Sequence, residues 1–286
     1  MSAGSRLLLA GLRGSGKTSF LAALWHLVES RELPTALSAP QLQPDRAHLN
    51  RIRDSWLQFM PVGRTSLRSQ EVVSLVLRES ATGAAVAVSL PDLSGELFRL
   101  QWATRKAGTF YADLALNASG IVLFLHVDAV RRSSRIGPAP RFDEEGHIEQ
   151  APAEPETARV REWQYDDAPT QVQIVELIQF ARFLRADSTP LAVAVVLSAW
   201  DLVREPILPA AWLEGYLPLL SQYLTANQEM MPSRVYGVSA LGGDLEKDLT
   251  RLQAESTPSR RIRVVEDEIE PTHDLTAPLR FVLAQR

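Results

Sequence analysis

Cysteine is absent from this chain of 286 residues. Without it no disulfide can form and no thiolate can hold a metal. Long apolar runs are missing as well. The N-terminal "RLLLAGL" is too short to cross a bilayer, and it runs straight into a glycine-rich stretch, which argues against a signal peptide. Positive charge is not in excess: 30 Lys and Arg against 34 Asp and Glu leave a net charge of −4. That balance speaks against broad, non-specific binding to nucleic acid or anionic membrane. The five histidines, His26, His48, His126, His147 and His273, are scattered with no H-E-x-x-H or comparable spacing, so no transition-metal site is expected. Internal repeats are lacking too. A cytoplasmic globular protein is the expectation, and 45% hydrophobic residues suffice for a sizeable core.

What is present begins at residue 7. Leu7 to Ala10 has the length of a buried strand, and the next eight residues, "GLRGSGKT", match G-x-x-x-x-G-K-[ST]. Each residue type has a chemical reason. Phosphate oxygens must meet several backbone N–H groups at once, and Gly11, Gly14 and Gly16 let the chain curl close enough to offer them, with Ser15 and Ser19 alongside. A helix predicted over about 17–30, with "FLAALWHLV" as its apolar face, would aim its positive dipole end at the anion. Lys17 would bridge the β- and γ-phosphates and Thr18 would hold Mg²⁺. The motif calls for a nucleoside triphosphate without saying which, since small-molecule kinases and ATPases carry the same loop.

Two further signals follow. "EVVSLVLRE" (71–79) and "AVAVSL" (85–90) read as strands joined by the turn "SATGA", a connection short enough for an antiparallel hairpin. The second strand runs into Asp92-Leu-Ser-Gly95, a D-x-x-G tetrad, placing a carboxylate at a strand's C-terminal end, where it can reach Mg²⁺. In the distal half, "GIVLFLHVDA" (120–129), "PLAVAVVLSAWDLV" (190–203) and "SRVYGVSALGG" (233–243) are apolar strands with polar ends, and "APTQVQIVELIQFARFLRA" (168–186) has helical periodicity. A helix-like stretch covers 95–117, and "DLTAPLRFVLAQ" reads as the closing helix.

With these residues in place the chain resembles the Ras-like GTPase superfamily. Within it, "GSGKTSFLAALWHLVE", "LPDLSGELF", the tetrad S-A-W-D and the late "DLTAPLRFVL" helix are similar to the bacterial double-GTPase group, which implies a paired NTPase often placed in predicted bacterial conflict systems. The resemblance implies several roles. Gly95 would give its N–H to the γ-phosphate, Asp92 would serve Mg²⁺, and Thr65, in "GRT", would be the switch I threonine that also reaches the metal. Ser198-Ala-Trp-Asp201 stands where N-K-x-D belongs, and Ser239-Ala240-Leu241 resembles the loop whose backbone N–H contacts the guanine oxygen. The carboxylate of Asp201 can accept from guanine N1–H and the exocyclic amine together; adenine offers neither donor. The lysine whose stem packs on the base is missing. Ala199 cannot replace it; Trp200 would stack there, or else belongs to the core.

The order of elements predicts an α/β fold: a three-layer, mainly parallel sheet with one antiparallel edge strand, helices on both faces and ligand at the strands' carboxyl ends. One domain over 1–286 is expected, with a helical insert at about 31–60, a polar mobile insert at about 130–167 and a charged segment at about 244–273, whose sequence reads as irregular. Arg13 and Glu96 bear on hydrolysis. Arg13 could serve as a built-in arginine finger, obstruct water, or point into solvent. Glu96, in the place of the water-orienting glutamine, would sit near the γ-phosphate as base or as brake, so slow turnover is expected. The expected ligands are GTP or GDP with Mg²⁺, and the expected partner is a protein that reads the switches, with a second GTPase subunit as one form of it. Two other functions fit parts of the sequence: a P-loop small-molecule or nucleotide kinase, with "RRSSR" (131–135) as a phosphate-clamping lid, and a non-hydrolysing nucleotide-dependent adaptor.

Overall fold

The computed structural model describes residues 5–40, 46–60, 72–91, 95–133, 162, 164–185 and 189–285. Eight strands among them form one sheet: β1 (Ser5–Ala10), β2 (Leu37–Ser38), β3 (Val72–Glu79), β4 (Ala85–Pro91), β5 (Gly120–His126), β6 (Ala192–Ser198), β7 (Ser233–Ser239) and β8 (Arg263–Val265), in the spatial order β2-β3-β4-β1-β5-β6-β7-β8. The five inner strands from β4 to β7 are parallel. The hairpin pairs β3 antiparallel to β4 from Val72↔Pro91 to Arg78↔Ala85. The fold is therefore the mainly parallel three-layer α/β arrangement predicted, with β2 added outside β3 and β8 added antiparallel to β7 at the far edge.

The helices are α1 (Lys17–Ser30), α2 (Arg46–Leu57), α3 (Gly95–Thr104), α4 (Thr109–Leu116), α5 (Thr170–Leu184), α6 (Pro209–Tyr216), α7 (Pro218–Ala226), α8 (Leu249–Ala254) and α9 (Ala277–Ala284). Alternation along the strands divides the core between two faces. Leu7 and Leu9 of β1 point to the layer of α1, α2 and α9, whereas Leu8 and Ala10 point to the layer of α3 to α7. Strands covered on both faces need apolar residues at every position, which is why β5 and β6 read as unbroken hydrophobic runs. The buried residues of α1 run from Phe20 to Val28 without a break because α2 covers the side that the sheet does not. That cover comes from Leu49, Ile52 and Trp56, spaced three and four residues apart on one helix face.

Two differences from the sequence reading have local causes. The stretch 95–117 is not one helix: α3 ends at Thr104, Arg105 takes a left-handed conformation at φ 55°, and Gly108 caps a new helix, α4. The segment read as irregular holds α8 and β8. Val264 and Val265 are buried and satisfy the outer edge of β7, a pairing that three residues cannot announce by periodicity.

Candidate functional site

The loop from Gly11 to Gly16 leaves the carboxyl end of β1 and closes on the N-terminus of α1. Gly16 is the N-cap at φ 88°, a conformation that suits glycine, and a Cβ there would also lie 3.0 Å from Ser198. Ser15 donates its N–H to the Leu12 carbonyl at 3.3 Å, which tightens the curl. Lys17 is only 7% exposed. Its Nζ reaches back across the loop to the Gly11 carbonyl at 2.8 Å, the Leu12 carbonyl at 3.2 Å and Ser15 Oγ at 3.3 Å. The ammonium is thus held at the loop's centre by its own backbone. No acidic residue stands in the first turn of α1, so the helix dipole there is unopposed. Thr18 and Ser19 occupy that turn, half-buried, and Arg13 sits on the exposed crest of the loop.

The distal motifs arrive beside this loop. Ser198, at the end of β6, is buried and donates its hydroxyl to the Ser15 carbonyl at 2.9 Å. The first residue of S-A-W-D therefore ties the phosphate loop to the central sheet, a role that sequence reasoning missed although the residue stood within the quoted tetrad. Ala199 follows in a left-handed conformation at φ 56° and ψ 41°, which turns the chain toward Asp201. The Ser239 hydroxyl donates to Asp201 Oδ1 and accepts the Gly242 N–H at 3.0 Å. One carboxylate oxygen is thus engaged by the protein, and the carboxylate is held in a fixed orientation.

A cavity of about 490 Å³ joins the two ends. Gly14, Gly16 and Ser19 line it on one side and Asp201, Ala240 and Leu241 on the other. It is large enough for a nucleotide. His126, at the end of β5, accepts the Asp128 N–H at 3.3 Å and also lines the cavity. Leu245 and Lys247 line it too, from the charged segment, with Lys247 paired to Asp244 at 3.0 Å. Nothing in the sequence marked them, because their relevance depends on how the chain returns after β7.

Trp200 is placed elsewhere. It is 9% exposed, its ring packs where any Cβ on Gly237 would collide, and it meets Trp212 edge-on with centroids 6.3 Å apart. It is not among the residues lining the 490 Å³ cavity; of the two places considered for it, it takes the one in the core, and with Asp201 and Ser239 it also lines a second cavity of about 360 Å³. Arg131 and Arg132, from the run considered as a lid, have partners in the distal half of the chain. Arg131 pairs with Asp167 at 3.1 Å, and Arg132 lies 3.9 Å over the Tyr216 ring.

Gly95 is the first residue of α3 and Glu96 the second. Thr65 and Asp92 lie outside the described residues. Among the described residues no group of three or more His, Cys, Asp or Glu is arranged to hold a metal. The donor chemistry at the loop still suits magnesium, because Thr18 offers a hard oxygen beside the place where phosphate oxygens would lie. No helix among the described residues is long and apolar enough to cross a membrane.

Comparison with known proteins adds the following. No curated protein matches the chain. Solved structures that resemble it at low similarity include the following three. A bacterial selenocysteine-specific elongation factor, EF-Sec, is 14% identical with a TM-score of 0.36, covering 87% of this chain and 28% of that one. The signal recognition particle receptor SRb-GTP/SRX complex from Chaetomium thermophilum is 14% identical with a TM-score of 0.39, covering 85% and 94%. Methanosarcina barkeri Roco2 RocCORdC bound to GDP is 12% identical with a TM-score of 0.33, covering 89% and 50%. The chain thus spans little more than a quarter of the elongation factor and half of the Roco protein. The sequence model of the Double-GTPase 1 family matches residues 8–282.

Proposed function

We infer what this site does from one premise: the chain belongs to the Double-GTPase 1 family. It is a P-loop protein of a GTP-binding family. The finer reading is our proposal: the chain binds GTP, hydrolyses it slowly to GDP and phosphate, and passes the state of its switches to a protein partner in the cytoplasm. The observation that carries this reading is the single cavity that joins Gly14, Gly16 and Ser19 to Asp201, Ala240 and Leu241, residues about 180 positions or more apart in sequence. A triphosphate at one end and a purine at the other account for both sets.

At the phosphate end, backbone N–H groups of the loop and Lys17 Nζ would bind the β- and γ-phosphates. Thr18 would hold magnesium, joined by Asp92 and Thr65. The ion, when bound, neutralises charge that builds on the phosphate oxygens. Gly95 would offer its N–H to the γ-phosphate from the start of α3. Arg13 and Glu96 are the proposed modulators of hydrolysis, Arg13 as an internal finger and Glu96 as base or brake. A faster Glu96→Gln variant identifies a brake, a slower one a base, and an unchanged rate removes Glu96 from the mechanism. At the purine end, Asp201 would accept from guanine and the backbone at Ala240 would contact the 6-oxygen. The antiparallel pairing of β3 with β4 supports this reading over a kinase, whose sheet would be parallel. A second GTPase subunit is the partner we propose, and a bacterial conflict system is the setting the family suggests.

Calorimetry with GTP, ATP and xanthosine triphosphate in the presence of magnesium, paired with phosphate release over many turnovers, tests the proposal. Guanine-selective heat and phosphate release are expected. Equal heat for ATP overturns the base assignment, and binding without release leaves an adaptor.

A further inference from the structure

The helical insert between the phosphate loop and the hairpin does more than cover α1. Its last turn carries Trp56, which is 1% exposed, and the indole N–H donates to the Ala240 carbonyl at 3.0 Å, 184 residues away in sequence. Ala240 is the residue that follows Ser239 and lines the cavity wall beside Asp201. Three groups fix the ring of Trp56. The guanidinium of Arg261 lies 4.4 Å over it, the His26 ring lies 5.2 Å away at 36°, and α2 itself is pinned to α1 by the Trp25 indole donating to Asn50 at 2.9 Å. Arg261 is 6% exposed and also lies 4.6 Å over Phe59. The buried guanidinium lies over both aromatic rings, which opposes tilting of the indole.

We propose that Trp56 is a positioning residue for purine recognition: its indole N–H anchors the Ala240 carbonyl and so sets the loop that contacts the base. The deduction rests on the nucleotide reading above. A peptide group whose carbonyl is held has a fixed plane, so the Leu241 N–H that shares the plane of the Ala240 carbonyl is aimed before ligand arrives. One peptide further on, the Gly242 N–H binds the Ser239 hydroxyl that orients Asp201. The insert therefore braces both backbone and carboxylate at the purine end. At the phosphate end Lys17 is held by Gly11, Leu12 and Ser15 of its own loop. A buried indole N–H needs an acceptor. This one directs it at the carbonyl next to Ser239.

Trp56→Phe separates the two roles, because phenylalanine keeps a buried ring beneath Arg261 while losing the donor and a part of the indole's volume. Titration of wild type and variant by calorimetry uses GTP, which touches both ends, and inorganic tripolyphosphate, which reaches only the phosphate loop. The expected result is an affinity for GTP weakened by about tenfold, the worth of one buried hydrogen bond, with the tripolyphosphate affinity unchanged. The ligand-free melting temperature should move by only a few degrees. Equal weakening for both ligands would mark a general structural role and overturn the proposal, as would an unchanged GTP affinity. If the phenylalanine variant fails to fold, Arg261→Lys, which keeps the cation and loses the planar stack, should weaken GTP binding by about threefold with the same selectivity. Tripolyphosphate affinity falling in step would overturn the proposal here too. Failure of the wild type to bind GTP at all would instead sink the nucleotide reading.

Discussion

The two ends of the cavity are built in opposite ways. The phosphate end comes from a single stretch, Gly11 to Ser19, whose donors and cation are fixed by local turns and by Lys17 folding onto its own loop. The purine end is assembled from Ala199 to Asp201, Ser239 to Gly242 and Trp56. Each element there depends on a contact across the sequence: Ser239 on Asp201, and Ala240 on an insert nearly two hundred residues earlier. The difference follows from what each end must recognise. A phosphate chain is a dense anion that a curled backbone and a helix terminus can bind unaided. A purine edge must be distinguished by the direction of its donors and acceptors, and direction requires bracing from outside the loop. Ser198 is the hinge between the two, since its hydroxyl holds Ser15 while its neighbours lead to Asp201.

The largest effect should come from cutting the phosphate end. Lys17→Ala removes charge-assisted hydrogen bonds worth about 1.5–3 kcal/mol each, so GTP binding should become undetectable by calorimetry while the ligand-free fold persists. Retained affinity would mean that the purine end dominates. Next, Trp200→Ala should cost about 3–5 kcal/mol of stability by opening a cavity between Gly237 and Trp212, read as a lower melting temperature. A drop in GTP affinity with an unchanged melting temperature would return Trp200 to the base. A smaller and more selective effect is expected from Asp201→Asn. Exchanging an acceptor for a donor should turn preference from GTP toward xanthosine triphosphate by about 1–3 kcal/mol in competition binding. An unaltered preference would detach Asp201 from base reading.

The smallest effect concerns acidification of the brace. Burial holds the His26 imidazole below its ordinary value, with Glu32 pulling it up and Arg261 and Arg53 pushing it down. Its folded pKa being depressed, the unfolded chain takes up a proton first as pH falls below about 6.5. Stability linked to His26 is therefore complete above that pH and is lost as pH falls through the folded value. Glu32 is pushed up by burial, but the Ser259 N–H and His26 outweigh that and hold it lower overall, so its own contribution is lost only at more acid pH, below about 4.5. Melting curves at pH 7.5 and 5.5 should show a larger loss for wild type than for His26→Gln. Equal losses would place the titrating group elsewhere.

Much of the fold was legible because the signals were local. Leu7 to Ala10 and the apolar stretches within 120–129 and 190–203 read as strands from composition alone, and α1 was placed at about 17–30 by its loop and apolar face. The break between α3 and α4 was not legible, since it turns on one left-handed arginine. Nor was β8, whose three residues gain their structure from the edge of β7. By itself, the sequence determined the phosphate loop, the hairpin leading to D-x-x-G and a carboxylate on the distal strand, because backbone geometry and hydrophobic period act over a few residues. Only the tertiary structure decided that Trp200 turns into the core while Asp201 faces the cavity, that Ser198 holds Ser15, and that Trp56 reaches Ala240. Those are choices of packing and hydrogen-bond direction between distant segments, and no local pattern encodes them.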